Sequence, residues 1–172
     1  MPRSPRWAAV VGVAAVLGVT GCTDGVTMRP TMTLTQATGR VKQIVQEAFT
    51  QLPAGAELKD KGSPDPVPCE GAGGMNSGQV FVELDYELVH PGTWPTDQII
   101  EILDRYWKSR GYALVRDSRD QRLPAALVMR DNSDKTQIGV RVYYGTDGQI
   151  TAYLIGSSPC IWENGSSPAS DS

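Results

Sequence analysis

Three carboxylates occupy alternate positions within residues 79–89: Glu83, Asp85 and Glu87. In an extended strand such residues share one face and stand about 6–7 Å apart. That spacing suits paired-carboxylate chemistry, or a hard cation if further oxygen ligands are supplied. It is equally the pattern of a solvated face on a one-sided sheet, with Arg116, Arg130 and Arg141 available from other strands for cross-strand pairs. The solvated face is the reading this pattern favours. Tyr143 joins the same face if each strand turns its aliphatic set inward, and Tyr153 does so under the same condition. Tyrosine and arginine are enriched where partners dock. Glu83, Asp85, Glu87, Arg141 and Tyr143 therefore make a candidate binding face.

Other residue types with chemical potential lack the company they need. His90 is the sole histidine and precedes Pro91, and no serine or cysteine motif marks a nucleophile beside it. It is expected to end a strand, satisfied by nearby backbone. Gly71-Ala72-Gly73-Gly74 lacks a preceding strand and a following helix, so it does not read as a phosphate cradle. Asp131-Asn132-Ser133-Asp134 resembles a calcium loop only superficially, since the glycine and the distal glutamate are missing, and it reads as an Asx-rich turn. One histidine and three cysteines build neither a histidine-rich nor a cysteine-cluster metal site. No catalytic residue, metal or cofactor is implied. The formal charge of −3 and the pI near 5.1 argue against an electrostatic nucleic-acid binder.

The 172 residues suffice for one domain with end segments. Hydrophobic residues at 40% and charged residues at 20% are ordinary globular values. Mean hydropathy is −0.26 and the longest apolar run is N-terminal, which excludes a polytopic membrane protein. That N-terminus has the order of an export signal: Arg3 and Arg6, an apolar stretch over 7–19, then small residues. Ser4 and Pro5 separate the arginines, so the general export route is expected over a twin-arginine one. The junction Val19-Thr20-Gly21-Cys22 resembles a bacterial lipobox, with Val19 where leucine is commoner. The resemblance implies cleavage before Cys22 and a thioether-linked diacylglycerol on its sulfur; the plainer alternative is a signal peptide with a chance cysteine. Two acyl chains hold a protein stably where one holds marginally. Losing residues 1–21 removes two arginines and no acid, so lipid and not charge must do the holding.

Cys69 and Cys160 then remain as an even pair in an exported chain, which invites a disulfide. Closing that loop is expected to stabilise the fold by about 4–5 kcal/mol in the chain-entropy model.

These residues must be positioned by a small set of elements. Residues 22–33 read as a tether. A helix over 34–52, with Thr35 as a possible cap, buries Val41, Ile44, Val45, Ala48 and Leu52 at three- and four-residue steps. Residues 53–78 form a long Gly-, Pro- and Ser-rich loop. The strand over 79–89 follows, then a second helix capped by Thr96, buried through Ile99, Ile102, Leu103 and Tyr106 with Ile100 and Trp107 widening the stripe, and ended by Gly111. Strands over 113–116, 125–130, 138–144 and 149–155 complete the chain, the last two joined by Gly145-Thr146-Asp147-Gly148. The order predicts an α+β two-layer sandwich: a mostly antiparallel four- or five-stranded sheet with two helices on one face. The single domain spans 34–162, and 163–172 is a flexible tail.

The lipobox, the tether, and Pro68-Cys69 with Ser158-Pro159-Cys160 bracketing a small α+β domain resemble actinobacterial lipoproteins. Element order and the tryptophan-bearing second helix ending at Gly111 point, across about residues 35–162, to the LppA-like lipoproteins of mycobacteria and their relatives. That family brings no catalytic residues to carry over. The expected protein is a non-enzymatic envelope lipoprotein at the extracytoplasmic face of the cytoplasmic membrane, binding an envelope protein or small ligand and no nucleic acid. The alternatives are an envelope hydrolase using Glu83, Asp85 or His90, and a purely structural surface protein.

Overall fold

The computed structural model describes residues 31–62, 65–71, 76–121 and 124–166. The export signal over 1–21, Cys22, the tether as far as Pro30, residues 72–74 of the glycine run and the last six residues lie outside them.

The fold is α+β: two helices pack on a six-stranded antiparallel sheet, accompanied by a two-stranded hairpin. Helix α1 (Leu34–Phe49) is followed by strands β1 (Glu57–Asp60), β2 (Val67–Glu70), β3 (Asn76–Phe81) and β4 (Glu83–Val89). Helix α2 (Ile99–Ser109) and strands β5 (Ala113–Asp117), β6 (Ala125–Arg130), β7 (Gln137–Tyr144) and β8 (Ile150–Ser157) complete it. The main sheet has the order β1-β4-β8-β7-β6-β5, and β2 pairs with β3 in the hairpin.

The sheet is wider than the expected four or five strands, because the 53–78 loop contains β1, which joins its edge; β2, in the same loop, goes to the hairpin instead. β1 has one aliphatic residue among charges, Leu58, yet it extends the sheet along β4 with Leu58 opposite Leu88. The run 79–89 is not one strand either. At Val82 the chain leaves one sheet for the other: Ser158 Oγ accepts from the Val82 amide at 3.0 Å, and the Ser158 amide donates to the Val82 carbonyl at 2.9 Å. Those two bonds satisfy the backbone where neither ladder reaches it. Alternation nonetheless runs straight through, with Val82, Leu84 and Leu88 buried.

The apolar stripes do the packing. Ile44, Val45 and Ala48 of α1 and Ile99, Ile100, Leu103 and Trp107 of α2 enter one core with Leu127, Val140 and Leu154 of the sheet. Both helices therefore cover the same face. A second cluster joins Ala37 and Val41 to Val82, Leu84 and Ile161. Helix α1 is capped two residues earlier than expected, by Thr33 rather than Thr35: Thr33 Oγ1 accepts from the Gln36 amide while Gln36 Oε1 accepts from the Thr33 amide. It also stops at Phe49, before Leu52. Thr96 does not cap α2. It starts a 3-10 turn, Thr96–Gln98, and its hydroxyl bonds the Trp94 carbonyl at 3.2 Å. Gly111 does end α2 in the left-handed region, at φ 78°.

The stripe of α2 includes a buried acid, Asp104, while Ile102 and Tyr106, read as part of the stripe, are only half-buried. Burial pushes the Asp104 carboxyl up, but hydrogen bonds from Lys108 and Arg119 outweigh that and hold it below the usual carboxylate range. Arg119 also reaches Asp117 at 2.8 Å and Glu101 at 2.7 Å, so one guanidinium ties α2 to the end of β5.

Cys69 of β2 and Cys160, just beyond β8, form a disulfide with 6.2 Å between their Cα atoms. The ends of the domain are also fastened together. The Thr31 amide donates to the Gly165 carbonyl at 2.9 Å, the Leu34 amide to the Glu163 carbonyl at 3.0 Å, and the Trp162 amide to Thr31 Oγ1 at 3.0 Å. Ordered contacts thus extend to Thr31 and to Gly165, past the 34–162 span read from the sequence.

Candidate functional site

With both helices on one side, the other face of the sheet carries the alternate residues of each strand. Residues directly opposite in antiparallel register point the same way, so the face can be laid out in rows. Glu83, Ser157, Gln137 and Arg130 form one row. Asp85, Ile155, Gly139, Val128 and Arg116 form the next. Lys59, Glu87, Tyr153, Arg141 and Ala126 form the third, and Thr151 lies opposite Tyr143 beyond it.

This layout divides the candidate binding residues among three joined clefts. Asp85, Arg141 and Tyr143 line one of about 330 Å³ together with Thr151, Tyr153 and Ile155. Glu83 lies in a neighbouring cleft of about 210 Å³ that shares Arg141 and Ile155. Glu87 borders a third, of about 520 Å³, which shares Thr151 and contains His90 and Trp94. Of the five residues, Asp85, Arg141 and Tyr143 come together, while Glu83 and Glu87 flank them.

Electrostatics separate the three carboxylates. Glu87 accepts from Lys61 Nζ at 2.9 Å, and that hydrogen bond holds its carboxyl below the usual range. Exposed pairs of this kind contribute little to stability. The cross-strand pairs with Arg116, Arg130 or Arg141 are absent among the described residues. Asp85 differs from its neighbours. Its Oδ1 is buried and has no hydrogen-bond partner, a condition it shares among the described residues with Asp104 Oδ1 and Thr136 Oγ1. A buried unpaired polar atom costs about 1–3 kcal/mol, more when it is charged.

The aromatic wall of the central cleft is ordered by contact between its members. Tyr143 and Tyr153 meet edge to face with centroids 5.8 Å apart, the arrangement the ring quadrupoles favour. Tyr143 remains 38% exposed, among the most exposed large hydrophobic side chains. Tyr153 also stands between Glu87 and Arg141 in its row, so those opposite charges do not meet.

The remaining sequence candidates are accounted for locally. His90 stacks on Trp94 at 4.9 Å with its Nδ1 3.1 Å from the Pro91 carbonyl oxygen. Both carboxylates of the Asp131–Asp134 turn are engaged by Arg40, at 2.7 and 2.6 Å, and Asp131 Oδ1 also accepts from the Ser133 amide. Among the described residues no group of three or more His, Cys, Asp or Glu side chains is placed to hold a metal ion, and no helix is long and apolar enough to cross a membrane. The sequence reading missed Thr151 and Ile155. The signal was present: the Gly145–Gly148 turn fixes the β7–β8 register, and counting forward from it along β8 places both on the open face.

Compared with family models, with curated proteins and with solved structures, the chain matches none.

Proposed function

We propose that the protein is a non-enzymatic cell-envelope lipoprotein whose open sheet face binds an envelope protein or small ligand. In this reading Cys22 carries a diacylglycerol, the domain lies at the extracytoplasmic face of the cytoplasmic membrane, and the chain is akin to the LppA-like lipoproteins. One observation carries the binding role: the central cleft brings Asp85, Arg141, the exposed Tyr143 and the half-buried Tyr153 together without pairing the two charges. A half-buried carboxylate and guanidinium left unpaired beside aromatic side chains suit a site that takes its partner from outside.

Crosslinking on intact cells tests this directly. A photoreactive residue at position 143 is expected to capture a reproducible partner, identified by mass spectrometry. Combined Glu83→Gln, Asp85→Asn and Arg141→Gln substitutions should cut that capture at least tenfold while leaving the melting temperature within a few degrees. Unchanged capture removes this face from consideration.

The anchor has its own measurement. Cys22→Ser is expected to move the protein from the membrane fraction to the medium, and intact mass should lose the lipid increment. Retention of the variant on the membrane argues against the diacyl anchor.

A further inference from the structure

The central cleft contains two charged side chains, one of each sign, and they do not neutralise each other. Arg141 takes part in no ion pair among the described residues. Asp85 has a buried oxygen with no donor. They sit on opposite sides of β8 and one row apart, since Asp85 faces Ile155 while Arg141 faces Tyr153. Strand spacing and rise then place their Cα atoms about 12 Å apart. Ile155 and Tyr153 rise between them and keep the charges from closing on each other.

We propose, building on the open face as a binding surface, that this cleft takes a zwitterion of amino-acid or short-peptide size. Its carboxylate pairs with the Arg141 guanidinium, and its ammonium donates to the Asp85 carboxylate. The guanidinium is a planar fork that matches a carboxylate bidentately. An ammonium brings the donors that Asp85 lacks. The gap left by an arginine reaching inward across β8 is bridged by an α-amino acid or dipeptide backbone with a hydrogen bond at each end. Ile155 and the Tyr143–Tyr153 pair supply an apolar wall for its side chains. The cleft, at about 330 Å³, has the size of a small-ligand site. A purely anionic ligand satisfies Arg141 but is repelled by Asp85, and a purely cationic one meets the reverse.

Titration calorimetry on the detergent-solubilised full chain tests the assignment, with alanyl-leucine as the probe beside its N-acetyl and C-amide derivatives. The free dipeptide is expected to bind, and each cap should weaken it at least tenfold. Arg141→Gln should abolish the discrimination between free acid and amide, and Asp85→Asn that between free amine and N-acetyl. Absence of heat with the dipeptide, or capped forms binding as tightly, overturns the zwitterion site. The capped ligands need no variant, so this arm does not depend on how substitutions fold. Crosslinking from position 143 reads the broader proposal separately: a partner captured there preserves the binding face even if the zwitterion fails.

Discussion

Replacing Cys69 and Cys160 together by serine is expected to lower the unfolding free energy by about 4 kcal/mol. The bond closes a loop of 91 residues of sequence separation, which contains β3, β4, α2 and all the strands from β5 to β8. Opening it frees the unfolded chain over most of the sheet. A fold with marginal stability loses much of its reserve by such a change. Urea melts of the wild type and the double variant measure the difference, and reductant should reproduce it in the wild type, because Cys160 is exposed although Cys69 is buried. A loss below about 1 kcal/mol would show that the bond only pins the β2–β3 hairpin locally.

Gly156 is expected to be the least tolerant small residue of the sheet. It lies on the helix-facing side of β8, and a Cβ built there meets Val41 Cγ1 at 2.7 Å, Val45 Cγ2 at 3.0 Å and the Val41 carbonyl oxygen at 3.5 Å. Valines in a helix have one strongly preferred rotamer, so they cannot turn aside at low cost. Helix α1 would have to lift from the sheet. Gly156→Ala should cost about 2 kcal/mol, and Gly156→Val about 3 kcal/mol or more. Thermal melts give the order. Adding Val41→Ala to Gly156→Ala should recover part of the loss, a non-additivity expected only of residues in contact. Simple additivity would mean that the close approach of α1 to β8 is not what glycine provides.

That close approach illustrates where the sequence was and was not legible. Periodicity identified α1, α2 and β6 to β8, because each buries a regular stripe or alternating set against the same core; β5 was read from its short apolar run, although Leu114 and Val115 stay exposed at the edge of the sheet. Periodicity placed the end of β8 at Ile155 and so left out Gly156, whose role depends on a helix more than a hundred positions earlier. β1 was invisible for another reason: Glu57, Lys59 and Asp60 give no apolar alternation, and pairing with β4 alone makes the strand. Pro68 hid β2, since proline is uncommon inside a strand. The open face was legible as a face, because alternation fixes which residues share it. Its charge pairing was not. Which of Glu83, Asp85 and Glu87 finds a cation depends on Lys61, brought beside Glu87 by the unforeseen β1, and on Tyr153 standing before Arg141.

The fastening of the chain ends has a mechanical consequence. Gly165, at φ 81°, lets its backbone nest against Thr31 and Thr33, where a Cβ would sit 3.1 Å from Thr33 Cγ2 and 3.2 Å from the Thr31 carbonyl oxygen. Any tension arriving along the chain ahead of Thr31 is delivered first to this strap. Its bonds to Gly165, Trp162 and Glu163 share the load with a segment riveted to β2 through Cys160. The sheet and its open face lie behind that buffer. Pulling on the N-terminus should therefore strip the strap and unwind α1 before it shears a single strand of the main sheet.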